Sequence, residues 1–354
     1  MAVSRKAADS ASLPYLDPAA LHAIGQALSL HAQTVSRVAV ACSGGTDSAM
    51  LAVHAAHWAA HAGVQLHLFH VHHGLQTPAD EWRERVHSLA ALLGVPCHSV
   101  RTRVDTGRGT GTEAAARTAR YDAFAALARF TSVQHVVLAH HLNDQAETVL
   151  LRLLRGAGPT GLAAMRSRSE RAGVVYLRPW LDVPRSSLIE SAARFALSTG
   201  WHAVQDPTNS DPRYTRSAVR TLLAPALEAR WPGWSATLAR HARQSDEAAQ
   251  VLDEVAHADL QALDPGADGL SFSLQRWRSL SAPRQSLVLR YWLGTQGVRM
   301  PSEARLNDWM RQLRGLHANG HDRHMQVHHE GCVLRCVKGR VVLECVGNVS
   351  KKDV

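Results

Sequence analysis

The hexapeptide Ser43-Gly44-Gly45-Thr46-Asp47-Ser48 lies between the apolar run Val38–Cys42 and the helix-like stretch Ala49–Ala62. This order predicts a strand, a tight turn and the start of a helix, where unpaired backbone N–H groups and the helix dipole favour a bound anion. The two glycines lack a Cβ, so the backbone can approach phosphate oxygens closely, and the serines add hydroxyl donors. The aspartate can hold a divalent metal. The hexapeptide therefore predicts a phosphate-binding loop, with an ordinary turn after a buried strand as the alternative.

The hexapeptide is not a Walker A loop, because the pattern Gly-x-x-x-x-Gly-Lys-Ser/Thr is missing and no lysine is available for a terminal phosphate. It resembles instead the PP-loop, Ser-Gly-Gly-x-Asp-Ser, of the ATP pyrophosphatase superfamily. The resemblance implies an enzyme in which a substrate oxygen attacks the α-phosphorus of ATP and pyrophosphate leaves.

The composition of the 354-residue chain indicates a soluble, cytoplasmic enzyme. A hydrophobic fraction of 45% suffices for a sizeable core, and no apolar run reaches the roughly 18–20 residues that span a bilayer. No secretory signal is recognisable, and residues 1–17 are predicted to be a disordered tail. The five cysteines are odd in number and scattered, which predicts free thiols in a reducing compartment rather than a disulfide framework.

The net charge of +9 is concentrated in the stretch Leu151–Arg220, which holds eleven arginines, no lysine and five acids. An excess of arginine on one segment favours a polyanionic partner, because guanidinium groups bind phosphates in a bidentate manner. An ordinary solvated surface is the alternative. The candidate contacts to nucleic acid are Arg152, Arg155, Arg213, Arg216 and Arg220.

Short apolar runs alternate with helix-like stretches from Val35 to Leu197, which predicts an α/β fold with helices on both faces of a parallel sheet. Because ligands gather at the carboxyl ends of parallel strands, the hexapeptide should share one mouth with the loops after the second, third and fourth strands. The predicted strands are Val35–Cys42, Val64–Val71, Cys97–Val104, Val133–Ala139 and Val174–Leu177, and the predicted helices are Ser48–Ala62, Asp80–Leu93, Thr112–Phe130, Asp144–Arg155 and Ser186–Leu197.

Two of these regions carry further candidate residues. The second strand leads into His70-Val71-His72-His73-Gly74-Leu75, where imidazoles could bind a metal, although nucleotide contacts or chance clustering are favoured. In the third helix, Glu113 and Arg117 have the spacing of a surface ion pair. Arg117 and Arg120 also share a helix face that could meet phosphate.

The loop after the fourth strand contains Asp144 and Glu147. Their spacing is typical of a helix cap with Asp144 as the capping residue, which gives a purely structural alternative. Since this loop and the hexapeptide should converge, however, Asp144 is expected to face Asp47 across the mouth. Two carboxylates near a triphosphate suit Mg²⁺, which takes oxygen ligands from protein and phosphates jointly. The sequence therefore predicts a magnesium site at Asp47 and Asp144.

Taken together, these stretches resemble the tRNA(Ile)-lysidine synthetase family. Two departures stand out: Asn143 occupies a position where the family often has Asp, and Ser217 a position where it usually has Asn. Metal binding is therefore assigned to Asp144, and the role of Ser217 stays open. The matching stretches are Ser43–Ser48, His70–Leu75, Glu113–Tyr121, His140–Met165, Arg178–Leu181 and Asp206–Arg220.

The resemblance implies that lysine is attached to carbon 2 of the wobble cytidine of a CAU-anticodon isoleucine tRNA, through an adenylated cytidine, which switches decoding from AUG to AUA. The implied partners are this tRNA and L-lysine, without a membrane, and a homodimer is left open. Glu113, Asp144 or Glu147 would hold or deprotonate the lysine. The implied ATP-binding residues are Ser43, Gly44, Gly45, Thr46, Asp47, Ser48 and His70, the implied Mg²⁺ ligands are Asp47 and Asp144, and the implied catalytic residues are Asp47, Arg117 and Asp144.

The predicted domains are a PP-loop catalytic domain over residues 18–223 and a smaller, mostly helical, tRNA-binding accessory domain over residues 224–354. Within the latter, Cys332 and Cys336 are predicted to be inert core thiols. The predicted elements are the helices Trp234–Ala262, Leu280–Trp292 and Ser302–Leu313, followed by an antiparallel sheet of Met325–Val327, Gly331–Val337 and Arg340–Cys345.

Two other functions remain as alternatives. A PP-loop amidotransferase or thiolase would use the same loop, but the catalytic cysteines and the glutaminase segment of such enzymes are missing. A non-catalytic nucleotide- or tRNA-binding protein would not require both Asp47 and Asp144.

Overall fold

The structure, a computed structural model, describes residues 13–29, 36–72, 79–102, 112–206, 211–316 and 325–345. The chain forms two compact units, Met1–Asp246 and Glu247–Val354. Residue 223, where the sequence predicts a domain boundary, lies upstream of this division. Within the described ranges, no helix has the length and apolar character needed to cross a membrane.

The described part of the first unit contains a six-stranded sheet. Its parallel strands are β1 Arg37–Ala41, β2 Gln65–His72, β3 Cys97–Arg101, β4 His135–Val137 and β6 Val174–Leu177, and β5 Arg168–Arg171 pairs antiparallel with β6. The order is β3-β2-β1-β4-β6-β5. The predicted parallel sheet is confirmed, whereas the sequence pattern does not predict β5. That strand is polar and mostly exposed, which suits a sheet edge.

Helices cover both faces of this sheet because the strand side chains alternate in direction. Val38 and Val40 of β1 point into one apolar cluster, whereas Ala39 points into another together with Tyr121 and Phe124. The helices of the first unit are α1 Pro18–Ser29, α2 Thr46–Ala62, α3 Ala79–Leu93, α4 Thr112–Thr131, α5 Leu142–Leu153, α6 Pro159–Leu162, α7 Arg185–Thr199, and α8 Thr215–Ala218 and α9 Ala224–Arg230 around a π-helical turn at Val219–Leu223.

The predicted N-terminal tail is too long. Residues 13–17 belong to the fold, because Leu16 is buried in the core and the ring of Tyr15 packs edge-on against that of Phe195 at 5.1 Å. Residues 1–12 of the predicted tail lie outside the described residues. Helix α1, which follows, is not predicted by the sequence pattern either.

The second unit combines helices with a small antiparallel sheet, as predicted. Its helices are α11 Leu274–Ser279, α12 Ala282–Thr295 and α13 Glu303–Gly315, and helix α10, Trp234–Ala262, belongs to both units. The strands are β7 Ser271–Ser273, β8 Gln326–His329, β9 Cys332–Val337 and β10 Arg340–Cys345 in the order β7-β10-β9-β8, and β7 is not predicted by the sequence.

The prediction of free thiols is wrong for two of the five cysteines, all of which the structure describes. Cys332 and Cys345 lie opposite each other in the pairing of β9 with β10 and form a disulfide. Cys42, Cys97 and Cys336 are free. Burial raises the pKa of Cys42 to about 11 and that of Cys97 to about 12, so neither thiol is a nucleophile near neutral pH.

Candidate active site

The predicted phosphate loop connects β1 to α2 and requires glycine at its first turn. Gly44 has a φ of +89°, and a Cβ there would lie 3.2 Å from methyl carbons of Val86 and Val204. The Val204 N–H also donates to the Gly44 carbonyl at 2.9 Å, which fastens the loop to the segment after α7. Both the backbone conformation and the close neighbours therefore make any side chain at this position strained.

The two serines of the loop bind each other rather than pointing apart. The Ser48 hydroxyl donates to the Gly45 carbonyl at 3.0 Å and accepts from the Ser43 N–H at 3.1 Å. The hydroxyls of Ser43 and Ser48 are themselves 3.1 Å apart. Ser48 thus fixes the shape of the loop, in addition to its position beside the cleft.

A cleft of about 720 Å³ lies at the carboxyl ends of β1, β2 and β4, which is a volume suited to a nucleotide. The predicted convergence of strand-end loops is thus observed for these three strands. Most of the loop after β3 lies outside the described residues. The polar residues that line the cleft include Ser43, Thr46, Asp47, Ser48, His70, His72, Arg117, Arg120, His140, Arg185, Gln205 and Asp206.

His141 joins the two predicted metal ligands. Its Nδ1 accepts the backbone N–H of Asp144 at 3.2 Å, so Nε2 carries a ring proton. That Nε2 lies 3.7 Å from a carboxylate oxygen of Asp47 and 3.4 Å from one of Asp144. The imidazole is only 1% exposed, so it fixes the glycine loop and helix α5 together at the mouth.

Asp144 is not the cap of helix α5, contrary to the sequence-based expectation. His141 is the N-cap, and Asp144 is the third helical residue, whose carboxylate accepts the His141 N–H at 3.2 Å. The reciprocal capping arrangement is therefore present one turn earlier than predicted. Histidine is an uncommon N-cap, so the residue preferences used for the prediction do not identify it.

Arg185 is a site residue that sequence reasoning missed. It begins helix α7, and its Nε lies 3.3 Å from a carboxylate oxygen of Asp47. Burial alone would raise the pKa of Asp47, but the hydrogen bond and charge of His141 and of Arg185 outweigh burial and lower it. The backbone N–H of Arg185 donates to Oδ1 of Asn143 at 3.1 Å. Asn143, one of the two departures from the family pattern, therefore positions the start of α7.

Glu147 has both carboxylate oxygens engaged. Arg220 donates to them from Nε and Nη2 at 2.8 Å each, and Nη2 also lies 3.4 Å from Asp144. Arg216 adds an Nε contact at 3.7 Å and donates to the hydroxyl of Thr148 at 2.8 Å. Two of the predicted tRNA contacts thus point inward to α5 and bind its buried acid.

The other predicted tRNA contacts differ in their surroundings. Arg152 donates to the carbonyl of Gly161 at 2.6 Å and is half-buried. Arg155 is exposed, and Arg213 is exposed and paired with Asp211 at 2.6 Å.

Arg117 and His70, a predicted catalytic residue and a predicted ATP-binding residue, both line the cleft. The Arg117 guanidinium is exposed, donates to the hydroxyl of Tyr121 at 3.3 Å, and stacks over that ring. The His70 ring is 4% exposed, and its Nδ1 donates to the Cys42 carbonyl at 3.0 Å. Burial lowers the pKa of His70, which keeps the ring neutral. The side chain of Glu113 lies outside the described residues.

His140, which also lines the cleft, is not among the predicted site residues. Burial lowers its pKa further than the charge of Asp144 raises it, and the nearby arginines, among them Arg178 and Arg117, add to the lowering. The ring is therefore neutral near pH 7. An adjacent pair of histidines after a buried strand is the sequence signal that could have identified it.

The chain is similar to known proteins over most of its length. Residues 20–227 match the family model of the PP-loop domain, and residues 272–342 match that of the TilS substrate binding domain. The tRNA(Ile)-lysidine synthase of Bordetella bronchiseptica is 58% identical over 96% of this chain and 98% of its own length. That of Ralstonia nicotianae is 45% identical over 88% of this chain and 66% of its own length.

The chain belongs to the tRNA(Ile)-lysidine synthase family. It is an ATP-using ligase of tRNA modification, and the predicted family and activity are confirmed at this level. The U34-tRNA thiolase of Methanococcus maripaludis has a TM-score of 0.54 at 16% identity, covering 64% of this chain and 78% of its own. This structural likeness concerns the fold alone and is consistent with the PP-loop domain matched by residues 20–227.

Proposed function

We propose that the cleft attaches lysine to carbon 2 of the wobble cytidine of a CAU-anticodon isoleucine tRNA, with ATP as the activating substrate and L-lysine as the nucleophile. The observation that carries this proposal is the position of His141 Nε2, within 3.7 Å of Asp47 and 3.4 Å of Asp144. It gathers two acids beside a backbone loop built for phosphate, which is the equipment that transfer at the α-phosphorus requires.

In the first step, the cytidine O2 forms a bond to the α-phosphorus of ATP, and the bond to the β-phosphate oxygen breaks. The glycine loop, Ser43–Ser48, binds the phosphates through its backbone N–H groups and the start of α2. Arg117 is exposed within the cleft and places a permanent positive charge where negative charge grows at phosphorus.

The residues fit a magnesium ion. Asp47 and Asp144 are carboxylates, the ligand type that Mg²⁺ prefers, and their contacts to the side chains of His141, Arg185 and Arg220 are long at 3.3–3.7 Å. Within the described residues, no group of three or more metal-ligating side chains occurs, so further ligands would be phosphate oxygens and water. When bound, Mg²⁺ would neutralise phosphate charge and polarise the α-phosphate.

In the second step, the lysine ε-amine forms a bond to carbon 2, and AMP leaves with the former O2. The ammonium group must first lose a proton to a carboxylate beside the cleft, which acts as the general base. We favour Asp144 over Glu147 for this role, because Arg220 holds both oxygens of Glu147 at 2.8 Å, whereas the hydrogen bonds to the oxygens of Asp144 are longer, at 3.2 and 3.4 Å. Glu113 remains an alternative for holding the ammonium group.

The nearest competing function, sulfur transfer to tRNA, is disfavoured by the two cysteines of the first unit. Cys42 and Cys97 are protonated thiols at neutral pH because burial raises the pKa of each. A thiolase would need a nucleophilic sulfur in this cleft.

The test is the incorporation of labelled lysine into a CAU-anticodon isoleucine tRNA by the purified protein, with ATP and Mg²⁺. We expect incorporation that depends on ATP and on Asp47. Incorporation of sulfur instead of lysine, or lysine transfer without ATP consumption, would contradict the proposal.

A further inference from the structure

Arg185 stands out because a cation at the first residue of a helix opposes the helix dipole. The first turn of α7 contains no acid that would offset this charge, and its N-cap, Pro184, makes no side-chain cap. Where a local preference is broken in this way, a role at a functional site is the usual reason. The arginine lines the cleft beside the glycine loop.

The contacts of Arg185 hold its backbone tightly and its guanidinium loosely. The backbone N–H is fixed by Oδ1 of Asn143 at 3.1 Å. The guanidinium touches Asp47 only through Nε, at 3.3 Å, and the side chain is 36% exposed. Within the described residues, its other donors bind no protein group, and the arginine lines the cleft together with the glycine loop.

We infer that Arg185 is the cation that binds the pyrophosphate leaving group, moving from Asp47 to the β- and γ-phosphates when ATP enters. This inference rests on the proposed function. It names the cation that binds pyrophosphate, which the proposed function does not assign. The hexapeptide contains no lysine for the terminal phosphates, so the charge must come from elsewhere in the cleft. Guanidinium suits this task because its planar donors match phosphate oxygens in pairs.

The exchange keeps every charge paired. Without ligand, Arg185 neutralises Asp47, whose pKa is lowered by His141 and Arg185 despite burial. With ATP bound, Asp47 would hold a metal ion and Arg185 would bind the phosphates. When the α-phosphorus bond breaks, pyrophosphate leaves with the electron pair, and Arg185 stabilises the charge that this creates without transferring a proton.

The decisive experiment compares Arg185→Gln with a matched control, Arg194→Gln, an exposed arginine on the same helix. Binding of inorganic pyrophosphate, ATP and AMP is measured calorimetrically for each protein. We expect Arg185→Gln to weaken pyrophosphate and ATP binding by about 10- to 100-fold, as for lost hydrogen bonds to a charged group, and AMP binding by less than about twofold. Arg194→Gln should bind all three like the wild type.

Unchanged pyrophosphate affinity in Arg185→Gln would overturn this inference. The proposed function would not be affected by that result, provided that the wild-type protein still transfers lysine to the tRNA. An equal loss of AMP binding would also overturn it, because Arg185 would then only support the site through Asp47. A wild-type protein that binds neither ATP nor pyrophosphate would overturn both.

Asn143 provides a second test as a positioning residue. Asn143→Ala removes the acceptor for the Arg185 N–H and should raise the KM for ATP with little change in the KM for lysine. Asn143→Asp keeps an acceptor oxygen and should restore the KM for ATP. Failure of Asn143→Asp to do better than Asn143→Ala would show that the Asn143 contact does not position Arg185.

Discussion

Arg220 donates two hydrogen bonds of 2.8 Å to the carboxylate of Glu147, although the two residues are 73 positions apart in the chain. Glu147 is only 3% exposed, so this bidentate pair lies largely out of water. It fixes the turn after α8 to the helix that carries Asp144. A carboxylate with both oxygens bound in this way has a structural role, because neither oxygen is free to bind a substrate.

We predict that Glu147→Gln lowers the free energy of unfolding by about 3 kcal/mol, because the partly buried Arg220 charge then keeps only its longer contact to Asp144, at 3.4 Å. Urea unfolding of the single variants and of the double variant with Arg220→Gln would measure the coupling between the two residues. Normal stability of Glu147→Gln together with a selectively raised KM for lysine would instead identify Glu147 as the lysine ligand.

Asp47→Asn is expected to abolish adenylation while tRNA binding stays near the wild-type value. The reason is that Asp47 contributes its charge at the centre of the cleft, whereas tRNA affinity comes from phosphate contacts spread over the surface. Lysine incorporation should fall by at least about 10²-fold, as for other lost electrostatic contacts in a transition state. Filter binding of tRNA serves as the control, and near-normal incorporation would refute the site assignment.

Among the candidate tRNA arginines, exposed side chains should respond to substitution differently from one that is bound to a buried acid. Substituting Arg155 and Arg213, whose side chains are exposed, should flatten the salt dependence of tRNA binding by about one unit of slope for each lost phosphate contact. Substituting Arg220, which is bound to Glu147, should reduce stability and activity with less effect on the slope. An unchanged salt dependence in the double variant of Arg155 and Arg213 would show that both belong to an ordinary solvated surface and do not contact the tRNA.

The sequence predicts the fold well where hydrophobic periodicity and chain connection dominate. The parallel strands and the glycine turn are predictable because short apolar runs, turn residues and helical periodicity can each be recognised within a few neighbouring residues. The edge strand β5 escapes prediction because its sequence, Arg-Ser-Glu-Arg, has no apolar residue and depends on pairing with β6.

Only those site residues that follow the carboxyl ends of parallel strands can be predicted from the sequence. That rule brings Asp47 and Asp144 together, but not the partners that arrive from distant parts of the chain. Arg185 reaches Asp47 across 138 positions, and Arg220 reaches Asp144 across 76. The disulfide of Cys332 with Cys345 likewise depends on the register of β9 against β10, which the cysteine spacing does not reveal.

Stability should fall as the pH is lowered through 6.5, in part because of His54. This ring is fully buried, with Nδ1 donating to the Met50 carbonyl and Nε2 accepting the Asp17 N–H. Burial lowers the pKa of His54 in the folded state. Below the unfolded pKa of about 6.5, the unfolded chain therefore binds a proton that the folded chain does not, and unfolding becomes easier by up to about 1.4 kcal/mol per pH unit.

The measurement is the free energy of unfolding between pH 5 and 8 for the wild type, His54→Gln and, as a control on the same helix, the exposed His61→Gln. His54→Gln should be less stable at pH 8 and should have a shallower pH dependence. A slope identical to that of the wild type would show that His54 does not contribute to it.

The final prediction concerns where the catalytic part can be separated from the rest of the chain. Leu238 and Ala242, in the first half of α10, pack against Val149 of the helix that carries Asp144. Ending the chain near residue 223 would expose that patch, so we expect residues 1–223 to aggregate or to lose ATP affinity. Ending it at Asp246 keeps the patch covered, and residues 1–246 should bind ATP with wild-type affinity but fail to modify tRNA. Thermal shifts with ATP and lysine incorporation would distinguish the two fragments, and equal ATP binding by both would contradict a structural role for the first half of α10.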